Sequence, residues 1–133
     1  LSGPQENFFA KESLNKFFSS TFKISNNVDR MGIRLEGHKV INIRTPDIPS
    51  EGIVKGAIQI PGDGNPIILM ADHPTIGGYP KIATVIITDF AKISQLSPGK
   101  DITFKKITFI EAKEIFKKNN KFLNNIFNQI EKI

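Results

Sequence analysis

The sequence predicts a mainly β domain, a barrel or a sandwich, that ends in one amphipathic helix. About seven short apolar or alternating segments are separated by Gly, Pro and Asn turns, with few helices between them. The last 23 residues differ, because their apolar side chains recur at helical spacing. A chain of 133 residues is long enough for one domain with its own core.

A short helix and six strands are predicted before residue 88. Residues 10–19 form the helix, since Leu14, Phe17 and Phe18 fall on one face at helical spacing. Alternation and β-branched runs then predict strands that end at turn residues, such as Asn26-Asn27. In chain order these strands cover residues 21–25, 33–36, 41–44, 52–60, 67–71 and 82–87.

The C-terminal part is predicted to contain two strands and two helices. Thr88-Asp89 caps a short helix at 90–96, and residues 102–104 and 107–110 are strands. We divide the chain into a β domain, 1–110, and a helix, 111–133. The helix either covers the β domain or contacts a partner, and packing on the barrel is favoured because almost no linker precedes it. Its apolar stripe comprises residues 115, 116, 122, 123, 126, 127, 130 and 133.

The net charge of +5 lies mainly in the tail, because residues 100–133 hold eight lysines against four acidic residues. No aromatic side chains alternate with these lysines to stack on bases, and Lys outnumbers Arg by 15 to 3 across the chain. We therefore interpret the lysines as a solvated helix face and predict no nucleic-acid partner.

Several classes of site and location are excluded or disfavoured. Without cysteine the chain has no disulfide, thiol nucleophile or thiolate zinc site, and His38 and His73 lack further ligands at metal spacing. The longest apolar run, 67–71, is far shorter than the ~20 residues of a membrane span. With no signal peptide, we expect a cytoplasmic protein. The start on Leu1 instead of Met suggests a piece of a longer polypeptide.

Candidate chemistry concentrates in residues 56–81. A predicted apolar strand ends at Asp72, His73 and Thr75, and Gly77-Gly78 follows. Adjacent glycines leave backbone N–H groups open to a carboxylate, phosphate or amide oxygen. Further along, Tyr79 supplies an aromatic hydroxyl and Lys81 a cation. From the residues alone, a ligand pocket and a tight loop between two core strands are equally good interpretations.

Two blocks of sequence resemble a known family. They are GGYPK at 77–81, within the segment just described, and DRMGIRLEG at 29–37; the opening Gly3-Pro4-Gln5 is a third match. Together they resemble the C-terminal half of the allophanate hydrolase subunit 2 family. That family includes the C subunit of bacterial 5-oxoprolinase and the carboxyltransferase domain of urea amidolyase and urea carboxylase. The resemblance covers essentially the whole chain and implies a closed, cyclophilin-like β-barrel.

The resemblance also implies a function. The chain would be part of a 5-oxoprolinase that opens 5-oxoproline to glutamate with ATP, together with a companion B subunit (allophanate hydrolase subunit 1 type) and an A subunit. ATP would be used by the assembled complex, with no cofactor or metal bound by this chain and no activity of the chain alone. One alternative is a regulatory module that binds a protein of the B-subunit type. Another is biotin-dependent carboxyl transfer to a urea-like amide, with biotin carried by another domain or chain, since no A-M-K-M motif occurs.

Within this family interpretation, candidate roles can be given to individual residues. Asp72 would act as a base or orient a water, and Lys81 with the Gly77-Gly78 amides would hold a developing oxyanion. Arg30 or Arg34 would pair with a carboxylate. We expect Asp72 and Lys81 to lie near each other at the barrel mouth. The predicted substrate-binding residues are Arg30, Arg34, Gln59, Thr75, Gly77, Gly78 and Tyr79.

Overall fold

A six-stranded antiparallel sheet forms the centre of the computed structural model, which describes residues 1–130. The strand order across the sheet is β7-β4-β5-β2-β1-β8, and β3 pairs with β6 in a separate two-stranded sheet. The strands are β1 (Thr21–Val28), β2 (Gly32–Glu36), β3 (Glu51–Gly52), β4 (Ala57–Gln59), β5 (Ile67–Leu69), β6 (Ile76–Gly77), β7 (Lys81–Thr84) and β8 (Asp101–Thr103). The helices are a 3-10 turn (Glu6–Phe8), α1 (Lys11–Ser19), α2 (Ile87–Ile93) and α3 (Phe109–Ile130).

The mainly β class is confirmed, whereas the closed barrel is not. The sheet curls but ends on β7 at one side and on β8 at the other, and no strand pairing joins these two ends within residues 1–130. An N-terminal segment, residues 1–5, covers the outer edge of β7. Within it Gly3 donates its backbone N–H to the carbonyl of Ile82 at 2.9 Å, and Ser2 bridges Ala83.

The main core lies between one face of the large sheet and α1. Phe17 of α1 and Phe22 of β1 are fully buried, and the rings of Phe17 and Phe104 stack with centroids 4.8 Å apart. The predicted helix at 10–19 is therefore confirmed. Its apolar face packs against the sheet, and burial of such aromatic side chains contributes about 1.5–3 kcal/mol each.

Two predicted strands at the start of the site region differ in the structure. Residues 52–60 are not one strand, because Gly56 adopts φ +84° and breaks the segment into β3 and β4. β1 continues past Asn26-Asn27 to Val28. The turn comes later, where the carboxylate of Asp29 accepts the backbone N–H groups of Met31 and Gly32 at 2.8 and 2.9 Å.

Two further predicted strands are wrong. Residues 41–44 form no strand and contribute a single bridge, Asn42 to Phe9. Residues 107–110 lead into α3 instead, because Thr108 and Glu111 form a capping box. The Thr108 backbone N–H donates to the Glu111 carboxylate at 2.7 Å, and the Glu111 N–H donates to the Thr108 hydroxyl at 3.2 Å.

The C-terminal helix α3 projects from the body. It contacts α2 near its first turn, and among residues 109–130 only Ala112 is even half-buried. The apolar stripe is thus exposed, in contrast to the expected packing on the barrel, and its last member, Ile133, lies outside the described residues. The division at residue 110 stays a prediction. None of the helices in residues 1–130 has the length and apolar composition needed to cross a membrane.

Candidate functional site

A row of side chains crosses four strands on the sheet face opposite the main core. Gln59 of β4 is in register with Lys81 of β7 and with Ile67 of β5, and Ile67 is in register with Arg34 of β2. Residues directly opposite each other on antiparallel strands project to the same face. The neighbouring residues Ile33, Ile58 and Ile68 point the other way, into the main core. The row therefore places polar groups on one surface.

A groove of about 610 Å³ opens over this surface. β1 forms one wall, where its pairing with β2 shifts register between Ile24 and Val28 and directs Asn26 and Asn27 into the groove. The floor combines polar and apolar side chains. The lining residues are Asn26, Asn27, Val28, Asp29, Met31, Gly32, Arg34, Gln59, Ile67, Leu69 and Pro74.

Gln59 is the most informative residue of the groove. Its side chain is 5% exposed, yet the Nε2 amide has no hydrogen-bond partner within the described residues. A buried donor without an acceptor costs about 1–3 kcal/mol. The Nε2 amide of Gln59 can therefore donate a hydrogen bond that the described residues leave unused.

Gly77 makes room for the Gln59 amide. A Cβ atom at Gly77 would lie 2.5 Å from Ile53 Cδ1 and 3.1 Å from Gln59 Nε2, closer than side chains tolerate. Neither Gly77 nor Gly78 has a positive φ, so close packing, not left-handed backbone, explains the first glycine. The backbone of Gly78 is also held in place, because its carbonyl accepts the Ile48 N–H at 2.8 Å.

Replacement of Gly77 by Ala should displace the Gln59 amide. The new methyl group should lower the free energy of unfolding by about 1–3 kcal/mol, the usual cost of overpacking. Urea unfolding measures this loss, and NMR signals of the Gln59 side-chain amide report the displacement. Gly62→Ala is the control, since a Cβ there meets only ordinary contacts at 3.5 Å. Unchanged Gln59 signals in Gly77→Ala would mean that Ile53 alone accommodates the methyl group.

Lys81 is buried and belongs to an ionic network. Its side chain is 4% exposed, and its Nζ lies 2.6 Å from Oε1 of Glu51. Gln5 joins both residues: its Nε2 donates to Glu51 Oε1 at 2.7 Å, and its Oε1 accepts the Lys81 backbone N–H at 3.1 Å. Hydrogen bonds from Lys81 and then Gln5 hold the pKa of Glu51 below its usual range. The network fixes a cation at the end of the polar row.

Asp72 has a different partner from the one expected. Its carboxylate accepts two hydrogen bonds from the Arg30 guanidinium, at 2.5 and 3.0 Å, and both side chains are largely exposed. The Arg30 hydrogen bonds lower the pKa of Asp72, which makes the carboxylate a weaker base. Asp72 and Lys81, expected to lie near each other, do not form an ion pair, because Asp72 binds Arg30 and Lys81 binds Glu51.

Arg34 remains available to a ligand. One of its terminal nitrogens, Nη1, donates to the Asp63 carboxylate at 2.9 Å, while the side chain is 36% exposed. Burial raises the pKa of Asp63, but hydrogen bonds from Asn65 and the charge of Arg34 lower it by more. A guanidinium has five N–H donors, so Arg34 can bind Asp63 and a second anion together.

Of the predicted site residues, two line the groove in the described part of the chain, Arg34 and Gln59. Lys81 lies in the same row. Thr75 serves the backbone, because its carbonyl accepts the Ile53 N–H at 3.0 Å, and Tyr79 is partly exposed. The catalytic roles of Asp72 and Lys81 stay predictions. Sequence analysis did not identify Gln5, Asn27, Glu51 and Asp63 as site residues. Two of them had a signal: Gln5 belongs to the third family match, and a lysine that opens a buried strand needs a carboxylate such as Glu51.

Residues 1–130 contain no group of three or more His, Asp or Glu side chains arranged to hold a metal ion. His73 uses its ring instead, with Nδ1 2.7 Å from the carbonyl oxygen of Pro74. The described site offers hydrogen-bond donors and cations, namely the Gln59 amide, the Arg34 guanidinium and the buried Lys81.

Comparisons of this chain with protein families and with individual known proteins agree with each other. Residues 1–106 match a protein family described as carboxyltransferase domain, subdomain A and B. The chain is 37% identical over 119 residues to the C subunit of 5-oxoprolinase from Haemophilus influenzae, covering 89% of this chain and 38% of that protein. It is 36% identical over 112 residues to the C subunit of 5-oxoprolinase from Escherichia coli, covering 84% of this chain and 36% of that protein.

A solved structure is also similar. The crystal structure of the K. lactis urea amidolyase superposes with a TM-score of 0.87 and 28% identity, covering 93% of this chain and 8% of that one. The chain thus spans little more than a third of its bacterial relatives and a small part of the yeast enzyme.

Proposed function

Because this chain belongs to the carboxyltransferase domain family, we propose that its groove forms part of a pocket for 5-oxoproline in a multisubunit 5-oxoprolinase. This substrate carries a ring amide and a carboxylate. The two bacterial relatives, each named as the C subunit of a 5-oxoprolinase, support the assignment, and the donors of the groove match both groups of the substrate.

The unpartnered Gln59 amide carries the proposal. Gln59 and Arg34 stand two strands apart, which is about 9–10 Å at ordinary strand spacing. Their side chains project from the same face and can converge on the two ends of a small ring. Gln59 Nε2 donates to the amide carbonyl, and the free donors of Arg34 bind the carboxylate.

The remaining residues have supporting roles in this proposal. Lys81, with the Gly77-Gly78 amides nearby, stabilises the negative charge that develops on the amide oxygen. Of the two roles predicted for Asp72, orienting a water fits its lowered pKa better than acting as a base. Arg30, held by Asp72, is a second candidate for the carboxylate. ATP is used by the assembled complex, which contains the companion B and A subunits.

The closed cyclophilin-like barrel is part of the same proposal. Antiparallel strand order and the curl of the large sheet support it. The N-terminal segment, residues 1–5, already pairs with the β7 edge. Closure of the barrel would therefore require further strand pairing at the other edge, β8.

Carboxyl transfer from biotin to a urea-like amide is the second candidate, favoured by the similarity to the yeast urea amidolyase. Gln59 would bind the urea carbonyl in the same way, and biotin would arrive on another domain. Urea has no carboxylate, however, and would leave the free donors of Arg34 without an ionic partner. Arg34 therefore discriminates between the two candidates.

Replacement of Arg34 by Met in the full-length protein, assembled with its companion subunits, should raise KM for 5-oxoproline about 10- to 100-fold. That factor corresponds to the loss of a charged hydrogen bond of about 1.5–3 kcal/mol. The measurement is ATP hydrolysis stimulated by 5-oxoproline. Arg44→Met is the control, because Arg44 lies over the Phe8 ring, outside the groove.

Two results would contradict the proposal. Equal KM values for Arg34→Met and the parent would remove Arg34 from substrate binding. Absence of 5-oxoproline-stimulated hydrolysis by the parent complex, together with biotin-dependent carboxylation of urea, would favour the second candidate.

A further inference from the structure

The exposed face of α3 has the spacing of a coiled coil. Its seam residues alternate in steps of three and four, which gives an average period of 3.5 residues instead of 3.6. This pattern continues through the whole described helix without a break. The seam residues are Phe109, Ala112, Phe116, Asn119, Leu123, Ile126 and Ile130.

The seam is too apolar and too large to be an ordinary solvent-facing surface. Apart from Ala112, the apolar seam residues are between 37% and 72% exposed. Three exposed neighbours, Ile115, Phe122 and Phe127, extend the apolar surface on either side of the seam. Taking roughly 200 Å² for a fully exposed side chain of this size, the stripe exposes roughly 800 Å². A stable interface buries about 800 Å² on each partner. The stripe alone is therefore large enough for one.

We propose that this stripe binds the same stripe of a second copy of the chain, in a parallel two-helix coiled coil. Asn119 supports both the choice of a second copy as the partner and the register in which the two helices align. In a parallel, in-register pair it faces Asn119 of the second copy, and the two amides hydrogen-bond to each other. A shift by one seam position would place each amide against an apolar side chain, which is costly.

The charge distribution also fits a second copy. Six residues flank the seam between 113 and 129, and Lys113 is the one charged residue among them. Residues 117, 118 and 121, all Lys, lie on the outer face, where identical helices do not bring them together. A strongly charged partner would meet an uncharged rim, whereas an identical apolar stripe is complementary to it. This inference is independent of the proposed function.

Light scattering of the 133-residue chain after size-exclusion chromatography tests the proposal. At high concentration the mass should be twice the 14.8 kDa of the chain, and it should fall toward 14.8 kDa on dilution. Leu123→Asp combined with Ile126→Asp should give monomer at every concentration, a loss of at least about 100-fold in dimer affinity. Asn124→Asp with Asn125→Asp adds the same charge on the outer face and should keep the dimer.

Asn119→Leu gives a second test, because it should strengthen association while allowing species larger than the dimer. Far-UV circular dichroism of each variant shows that the β domain is intact. A parent chain that is monomeric at all concentrations would overturn the proposal, and would indicate that the stripe is covered by another part of a longer chain or by a companion protein. A dimer that survives Leu123→Asp with Ile126→Asp would place the interface elsewhere.

Discussion

Gly3→Ala is expected to detach the N-terminal segment from the sheet. A Cβ atom at this position would lie 2.1 Å from the Lys81 carbonyl oxygen and 2.7 Å from the Ile82 carbonyl carbon, and backbone atoms cannot move aside as a side chain can. The variant should lose the backbone hydrogen bonds that join the segment to β7. At about 0.5–1.5 kcal/mol for each bond, the free energy of unfolding should fall by about 2–4 kcal/mol.

Hydrogen exchange and denaturation test this result together. The Thr84 amide donates to the Leu1 carbonyl at 2.9 Å, and its exchange should accelerate in Gly3→Ala while amides of β1 and β2 stay protected. Gly52→Ala is the matched control, because a Cβ there has no atom within 4 Å. Equal stability of the two variants would show that the segment contributes little to the sheet.

Glu51→Gln should be the most damaging change among the charged residues. It leaves the buried Lys81 ammonium without its anion, at a cost of about 1–3 kcal/mol. Lys81→Met should cost less, since it removes the buried charge and leaves Glu51 partly exposed and bonded to Gln5. The double variant should therefore be more stable than Glu51→Gln alone. Chemical denaturation of the four proteins gives the coupling energy.

The same network should make stability depend on pH. Because the pKa of Glu51 is lower in the folded protein, the unfolded chain binds more protons as the pH falls below about 5, and stability declines there. Glu51→Gln should lose this part of the pH dependence.

Additive effects of Glu51→Gln and Lys81→Met would mean that the ion pair does not contribute to stability. Lys81→Met also separates catalysis from folding, since turnover of the assembled complex should fall while stability is nearly retained.

Much of the fold could be predicted because local patterns decided it. The face of α1 and the strands at β2, β5 and β7 followed from apolar spacing alone. The errors have specific causes. Gly56 is tolerated in a strand pattern, so its left-handed turn was not recognised, and the Thr108–Glu111 capping box was overlooked beside an apolar run.

The site was less predictable because distant parts of the chain build it. Arg34 and Gln59 were found through the family resemblance. Gln5 and Glu51, by contrast, are 46 residues apart, and Gln5 lies 76 residues from Lys81. No local pattern links residues so far apart. The pairing of Asp72 with Arg30 likewise depends on how two turns meet, which spacing along the chain does not indicate.

The covering of β7 by the N-terminal segment also imposes an order on folding during synthesis. Leu1 and Thr84, which share backbone hydrogen bonds, are 83 residues apart. At about 5–20 residues per second, the ribosome needs about 4–17 s to make the intervening chain. Throughout that interval residues 1–5 have no strand to join, and such non-local pairing is slow to form. Residues 1–5 therefore leave the ribosome before β7 does, yet they are among the last to be incorporated into the sheet.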